Sequence, residues 1–325
     1  MQIHSHPWHH QRHHNGSRFR NIWGPPREES FLKMAGWLVE FAMQQKDNIP
    51  PPVQTVDPAV LAAPPDRLRL TWIGHASTLL QTPAFTLLTD PVFGQRASPL
   101  SFTGPSRKVP PALRLADLPP MDLVLLSHDH YDHLDFESIR TLARRHDPLF
   151  LVPLGVGRLV RRAGAAHVLE LDWWHYVDCD GWRFHCTPAK HFSGRGLTNR
   201  DATLWAGWFL EALDGSQTVY FAGDSGYAEH FTAIHERLGA PEVALLPIGA
   251  YRPRWFMENV HVDPAQAVQA FVDLQATHFI PIHWGTFDLA EEPLQEPPRL
   301  LQQAAAEQNI ADRVHLLDIG GVFSL

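Results

Sequence analysis

Cysteine is nearly absent from this chain. Two in 325 residues, Cys179 and Cys186, exclude a disulfide framework. They flank Asp180 and Gly181, a two-residue hairpin signal that would pair Cys179 with Trp182 and leave Cys186 opposite His175. A bridge between them is disfavoured, and two reduced thiols suit a reducing compartment. Positive charge is also scarce. With 27 Lys and Arg against 35 Asp and Glu, the formal charge is -8, so no nucleic-acid partner is expected. No stretch approaches the ~18 apolar residues of a membrane span, and the N-terminus lacks the apolar region of a secretory signal. These absences predict a cytoplasmic protein, peripheral at a membrane if it meets one.

What the chain has in quantity is histidine, 21 residues, and tryptophan, 11. Hydrophobic content of 44% with 19% charged residues predicts a globular protein with a sizeable core. Six of the histidines (His4, His6, His9, His10, His13 and His14) fall in residues 1–20, which read as a flexible leader or an adventitious metal-binding tract. Residues 21–65 read as a helix over 31–43, with Ser30 as N-cap, followed by a proline-rich extended connector over 50–65. That helix either docks on the main domain or lies against lipid.

Residues 66–325 read as the main domain. Strands are expected at 68–73, 77–81, 85–89, 149–152, 168–171, 218–222, 243–246, 278–282, 314–317 and 322–325. Helices are expected after Asp135, where Phe136, Ile139, Leu142 and Ala143 recur at helical spacing, and around 158–161. Many strands with interspersed helices predict two sheets face to face with helices outside, an α/β sandwich.

The chemistry concentrates directly after the apolar run 121–127, in His128, Asp129, His130, Tyr131, Asp132 and His133. Three histidines and two carboxylates in six residues are poor core material, and a solvated loop is the plain alternative. As ligands at a strand exit they make sense: His128 and His130 alternate in the strand sense, while Asp132 and His133 turn toward a second ion. Three further candidates stand at predicted strand ends: His191, Asp224 and His283. Imidazole and carboxylate suit zinc, and tolerate manganese or iron.

In order and spacing, this HxHxDH…H…D…H series resembles the metallo-β-lactamase superfamily. The resemblance implies an αββα sandwich with two metals at one edge. His128, His130 and His191 would hold one, and Asp132, His133 and His283 the other, with Asp224 bridging. Two such metals suit hydrolysis of an ester or phosphodiester by a hydroxide held between them. Asp90 is either a turn-forming residue before Pro91 or an outer carboxylate orienting a ligand histidine.

Further strings narrow the resemblance. Residues 19–21, 74–77, 89–93, 104–105, 222–227, 248–251, 253–257, 261–264 and 283–287 are similar to the N-acylphosphatidylethanolamine-hydrolysing phospholipase D family, bacterial members included. That family implies cleavage of a phospholipid phosphodiester to N-acylethanolamine and phosphatidic acid, with Asp132, Asp224 and His261 as catalytic candidates. His261 would donate a proton or bind a phosphate oxygen, although a histidine before the helix start Asp263-Pro264 also has a structural reading. Arg107, Lys108, Tyr251 and Arg254 are the candidate substrate contacts, with a solvated Arg107-Lys108 pair as the alternative. Trp173, Trp174, Trp205, Trp208 and Trp255 are candidates for an acyl groove or for core. Val260 and Arg252 depart from the family, which has a polar and an acidic residue there. The alternative activity is hydrolysis of a soluble phosphodiester or phosphorylated sugar lactone. The expected partners are a phospholipid or small phosphodiester, a membrane surface, and a second copy in a homodimer.

Overall fold

The computed structural model describes residues 1–24, 36, 46, 48–100, 102–196 and 198–325. In chain order the strands among them are β1 (Ile3–Ser5), β2 (His14–Asn15), β3 (Arg18–Phe19), β4 (Arg69–Gly74), β5 (Ser77–Gln81), β6 (Thr86–Thr89), β7 (Leu123–Leu125) and β8 (Leu149–Pro153). They continue as β9 (Val168–Leu171), β10 (His175–Cys179), β11 (Trp182–Thr187), β12 (Gly207–Ala212), β13 (Thr218–Phe221), β14 (Val243–Pro247), β15 (His278–Ile282) and β16 (Val322–Ser324). Two seven-stranded sheets result, ordered β1-β10-β11-β12-β13-β14-β15 and β16-β4-β5-β6-β7-β8-β9. Both are mixed: β6 to β9 run parallel, as do β13 to β15, and the other neighbours pair antiparallel.

Alternation along the strands builds the layers. Leu123 and Leu125 of β7 join the interior between the sheets, with Trp72, Leu87, Phe184, Trp208 and Tyr220. Val124 and Leu126 face the other way, against Ile139 and Leu142 of the helix Phe136–His146 and Val160 of the helix Gly157–Ala163. A strand covered on both faces needs an unbroken apolar run, which is what 123–126 supplies. On the outer side of the first sheet the helix Pro264–Asp273 packs on β14. The chain is therefore an αββα sandwich.

Three expectations change. Residues 1–20 are not a flexible leader: β1 pairs antiparallel with β10 as an edge strand, β2 and β3 form a hairpin, and His13 is fully buried. The connector is not wholly extended, because Pro58 starts the short helix Pro58–Ala62, capped by Asp57, at the position where its missing N–H costs nothing. Residues 314–317 are not a strand. Val314 makes one isolated parallel bridge to Phe279 and the chain then leaves the sheet edge. The helix expected over 31–43 lies outside the described residues.

Candidate metal centre

The candidate ligands collect where strands end, the place that parallel α/β sheets reserve for chemistry. His128 and His130 follow β7, His191 follows β11, Asp224 follows β13, and His283 follows β15. Two close backbone approaches make the convergence possible. Gly223, at φ +60, packs where a Cβ would stand 2.5 Å from the Ser127 Cβ, so the chain carries Asp224 up to the exit of β7. A Cβ on Gly249 would stand 2.2 Å from the carbonyl oxygen of His283, which is itself held at φ 60.

The nitrogens form two sets. In the first, His130 Nδ1 lies 2.8 Å from His128 Nε2 and 3.2 Å from His191 Nε2. In the second, Asp132 Oδ2 lies 3.4 Å from His283 Nε2 and 3.5 Å from His133 Nε2. One carboxylate oxygen reaches both. Asp224 Oδ2 stands 3.0 Å from His133 Nε2 and 3.1 Å from His283 Nε2, and 4.0 and 3.9 Å from His128 and His191 Nε2.

Outer groups fix how the rings face. Asp90 Oδ2 lies 2.6 Å from His133 Nδ1, and the same carboxylate accepts from the Ser127 N–H at 2.7 Å and its hydroxyl at 2.5 Å. His191 Nδ1 donates to the Val260 carbonyl at 2.8 Å, and His128 Nδ1 lies 2.9 Å from the Ser127 hydroxyl. Each of these three rings thus turns Nε2 toward the centre.

The donor set fits divalent ions. Among the described residues the buried atoms His133 Nε2, His283 Nε2 and Asp224 Oδ1 have no hydrogen-bond partner, an arrangement that metal coordination satisfies. Burial holds His128 and His191 well below the usual histidine range, so both rings are neutral lone-pair donors at pH 7. Burial also opposes charge on His133 and His283, yet the carboxylates of Asp224 and Asp132 push His283 up to about 9 and His133 well above the usual range. Around those two rings, carboxylates call for positive charge, which a cation supplies.

His261 stands at the mouth, Nδ1 3.9 Å from Asp224 Oδ2 and 9% exposed, and burial lowers it to about 4. Arg254 is behind it rather than among the candidate ligands: its Nη1 donates to the His261 carbonyl at 3.2 Å and its Nη2 to Gln266 at 2.9 Å. Tyr251 is buried with its hydroxyl on Glu296 at 2.6 Å, and Arg252 pairs with the same carboxylate at 2.9 Å. Arg107 spends its guanidinium on the carbonyls of Gly94 and Val92 and lies over the Phe287 ring, so it clamps a loop. Lys108 is exposed. Trp173, Trp174, Trp205 and Trp208 are core, each at most 2% exposed, while Trp255 is half-buried.

Two residues that sequence reasoning passed over belong to the centre. His75, at φ 57 in the tight turn between β4 and β5, puts Nε2 3.0 Å from Asp132 Oδ2. With Asp132, His133 and His283 it forms a set of four convergent ligand atoms. Its signal was the Gly74-His75 pair at a hairpin. Arg195 clasps the motif loop from below, donating to the carbonyls of Asp129 at 2.7 Å and Leu134 at 2.8 Å. Nothing in its local sequence marks that role.

Residues 86–284 match the beta-lactamase superfamily domain. An uncharacterised protein of Mycobacterium tuberculosis is 40% identical, over 82% of this chain and 71% of its own length. The N-acyl-phosphatidylethanolamine-hydrolyzing phospholipase D 1 of Caenorhabditis elegans is 35% identical, over 78% of this chain and 74% of its own. Among solved structures, a possible metal-dependent hydrolase from Veillonella parvula matches with a TM-score of 0.65 at 18% identity, over 80% of this chain and 100% of that one, and supports the fold. The chain belongs to the metallo-β-lactamase superfamily as a metal-dependent hydrolase of that fold, and its relatives include the N-acylphosphatidylethanolamine-hydrolysing phospholipases D.

Proposed function

We propose that the protein hydrolyses the phosphodiester of an N-acylated phosphatidylethanolamine, releasing N-acylethanolamine and phosphatidic acid. The observation that carries the reading is the reach of Asp224 Oδ2, within 3.0–4.0 Å of ring nitrogens from both histidine sets. A pair of divalent ions held there, zinc first and manganese or iron(II) by the same donors, would lower the pKa of a water and neutralise charge on the phosphoryl oxygens. Water attacks phosphorus, the bond from phosphorus to the ethanolamine oxygen breaks, and the leaving oxygen takes up a proton.

The chain's own residues prepare that step. Asp224 sets the separation of the two ligand sets. Asp90, Ser127 and the Val260 carbonyl fix the ring orientations before substrate arrives. His261, neutral at pH 7, donates a hydrogen bond from its outer nitrogen to a phosphate oxygen, and the charge of bound phosphate raises its proton affinity toward use as an acid. Lipid suits the surroundings: Phe192, Phe256 and Leu289 pack half-buried on Met257 and Val260 beside the centre. A cavity of about 450 Å³ adjoining Phe192 carries Arg12 and Arg20, cations suited to an anionic head group. The similarity to the Caenorhabditis elegans phospholipase D supports the same substrate class.

The burial of Trp173, Trp174 and Trp208 favours a second reading, a soluble phosphodiester or phosphorylated lactone, since those rings cannot line an acyl groove. One assay separates the two. Metal-loaded enzyme is given N-acylphosphatidylethanolamine in mixed micelles and, separately, a water-soluble phosphodiester. Release of N-acylethanolamine supports the lipid reading. Turnover of the soluble ester alone supports the second.

A further inference from the structure

Histidines of the N-terminal segment converge on a carboxylate far away in sequence. Asp172, in the link between β9 and β10, is buried, with 2% of its side chain exposed. His13 Nε2 lies 2.5 Å from its Oδ1, and His14 and His9 Nε2 lie 2.8 and 3.1 Å from its Oδ2. Oδ1 also accepts the Trp173 N–H at 2.8 Å. The His175 ring stacks obliquely on that of His9, centroids 4.5 Å apart, with Nδ1 accepting from the Asp172 N–H at 3.4 Å. His9, Asp172 and His175 form one set of convergent ligand atoms, and His13, His14 and Asp172 another. Neither shares a residue with the centre described above.

We propose that His9, His13, His14 and Asp172, with His175 at its edge, form a separate structural site for a borderline divalent cation of the zinc class. Three imidazole nitrogens and one carboxylate oxygen are a tetrahedral zinc donor set. With bonds of about 2.0–2.1 Å, tetrahedral geometry places neighbouring donor atoms about 3.3 Å apart. The present His–Asp172 spacings, 2.5 Å for His13 on Oδ1 and 2.8 and 3.1 Å for His14 and His9 on Oδ2, have to open by about 0.2–0.8 Å to reach it.

The consequence is a clasp. The segment from β1 to β3 has few regular backbone pairings of its own, three residues on β10 and a two-residue hairpin. A cation at Asp172 ties this segment to the sheet through three of its side chains. Farther along the same segment, Asn21 Nδ2 donates to the carbonyl of the candidate ligand His191 at 2.7 Å. The clasp therefore holds in place a stretch of chain that touches the catalytic centre.

The test uses the full chain, stripped with a chelator, reloaded with Zn²⁺ and passed through gel filtration before metal is counted by mass spectrometry. His9→Gln/His14→Gln, at two partly exposed positions, is compared with wild type and with His4→Gln/His10→Gln as a control for loose binding by the histidine-rich segment. The expected result is one equivalent fewer in His9→Gln/His14→Gln and a full complement in the control. The loss should come with a lower unfolding temperature of the reloaded protein. Equal metal in wild type and His9→Gln/His14→Gln, or the same loss in the control, overturns the proposal and leaves Asp172 as a carboxylate held by histidine hydrogen bonds alone.

Discussion

Asp90 Oδ2 and His133 Nδ1 lie 2.6 Å apart, with neither side chain exposed to solvent. The contact holds the proton on Nδ1 and leaves Nε2 to face Asp224 and Asp132. Asp90→Asn keeps the shape but removes the charge that favours this tautomer. It is expected to weaken the affinity of the His133 set for metal about 10–100-fold, read by competition with a chromophoric chelator. Unchanged affinity would show that the pair serves folding alone.

His75 is expected to act through Asp132, which it contacts at 3.0 Å. His75→Gln retains one hydrogen-bond donor near that position, and His75→Ala retains none. The alanine variant should lose metal affinity about 10–100-fold, with the glutamine variant between it and wild type. Equal affinities for all three would remove His75 from the centre.

Arg195 holds the motif loop by charge-assisted hydrogen bonds to the carbonyls of Asp129 and Leu134 and lies 3.8 Å over the Tyr131 ring. Arg195→Met keeps much of the stem but strips those donors from buried carbonyls. A stability loss of roughly 3 kcal/mol is expected, measured by urea unfolding, together with a lower metal content. A loss below about 0.5 kcal/mol would class it with ordinary surface changes.

These three residues also show what the sequence made legible. The six-residue motif stood out because its ligands are crowded together after an unbroken apolar strand. Asp224 and His283 are candidates because each ends a recognisable strand, His191 because it stands before a glycine-containing loop, and β5, β9 and β15 fall at the expected residues. His75 sits between two strands in a turn where a left-handed histidine looks like punctuation. Arg195 acts on carbonyls more than sixty residues away, and His13 on a carboxylate 159 residues away. Contacts of that range leave no local pattern. The edge strand β1 is only three residues long, too short for alternation to show. Tyr251 and Arg254 were drawn from strings around the site, and their partners Glu296 and Gln266 became visible only in the fold.

Acid should destabilise the protein through neutral histidines, His230 buried and His6 half-buried. Burial, reinforced by Lys190, lowers His230 to about 3, and burial with neighbouring His185 lowers His6 to about 4. Their folded values lie below the unfolded value of about 6.5. The unfolded chain therefore binds more protons below pH 6.5, and stability falls from there down to about pH 3–4. Urea unfolding between pH 7.5 and 4.5 should show this decline, with a shallower slope for His230→Phe. The same slope in both would assign the acid sensitivity to other groups.

The central claim is that Asp224 joins the two histidine sets into one centre. Crystals of the zinc-loaded protein, measured on both sides of the zinc absorption edge, test it directly. Two anomalous peaks about 3.5–4 Å apart, one beside His128, His130 and His191 and the other beside Asp132, His133 and His283, with Asp224 bonded to both, are the expected result. A single peak, or an Asp224 carboxylate bonded to only one of two ions, would contradict the account.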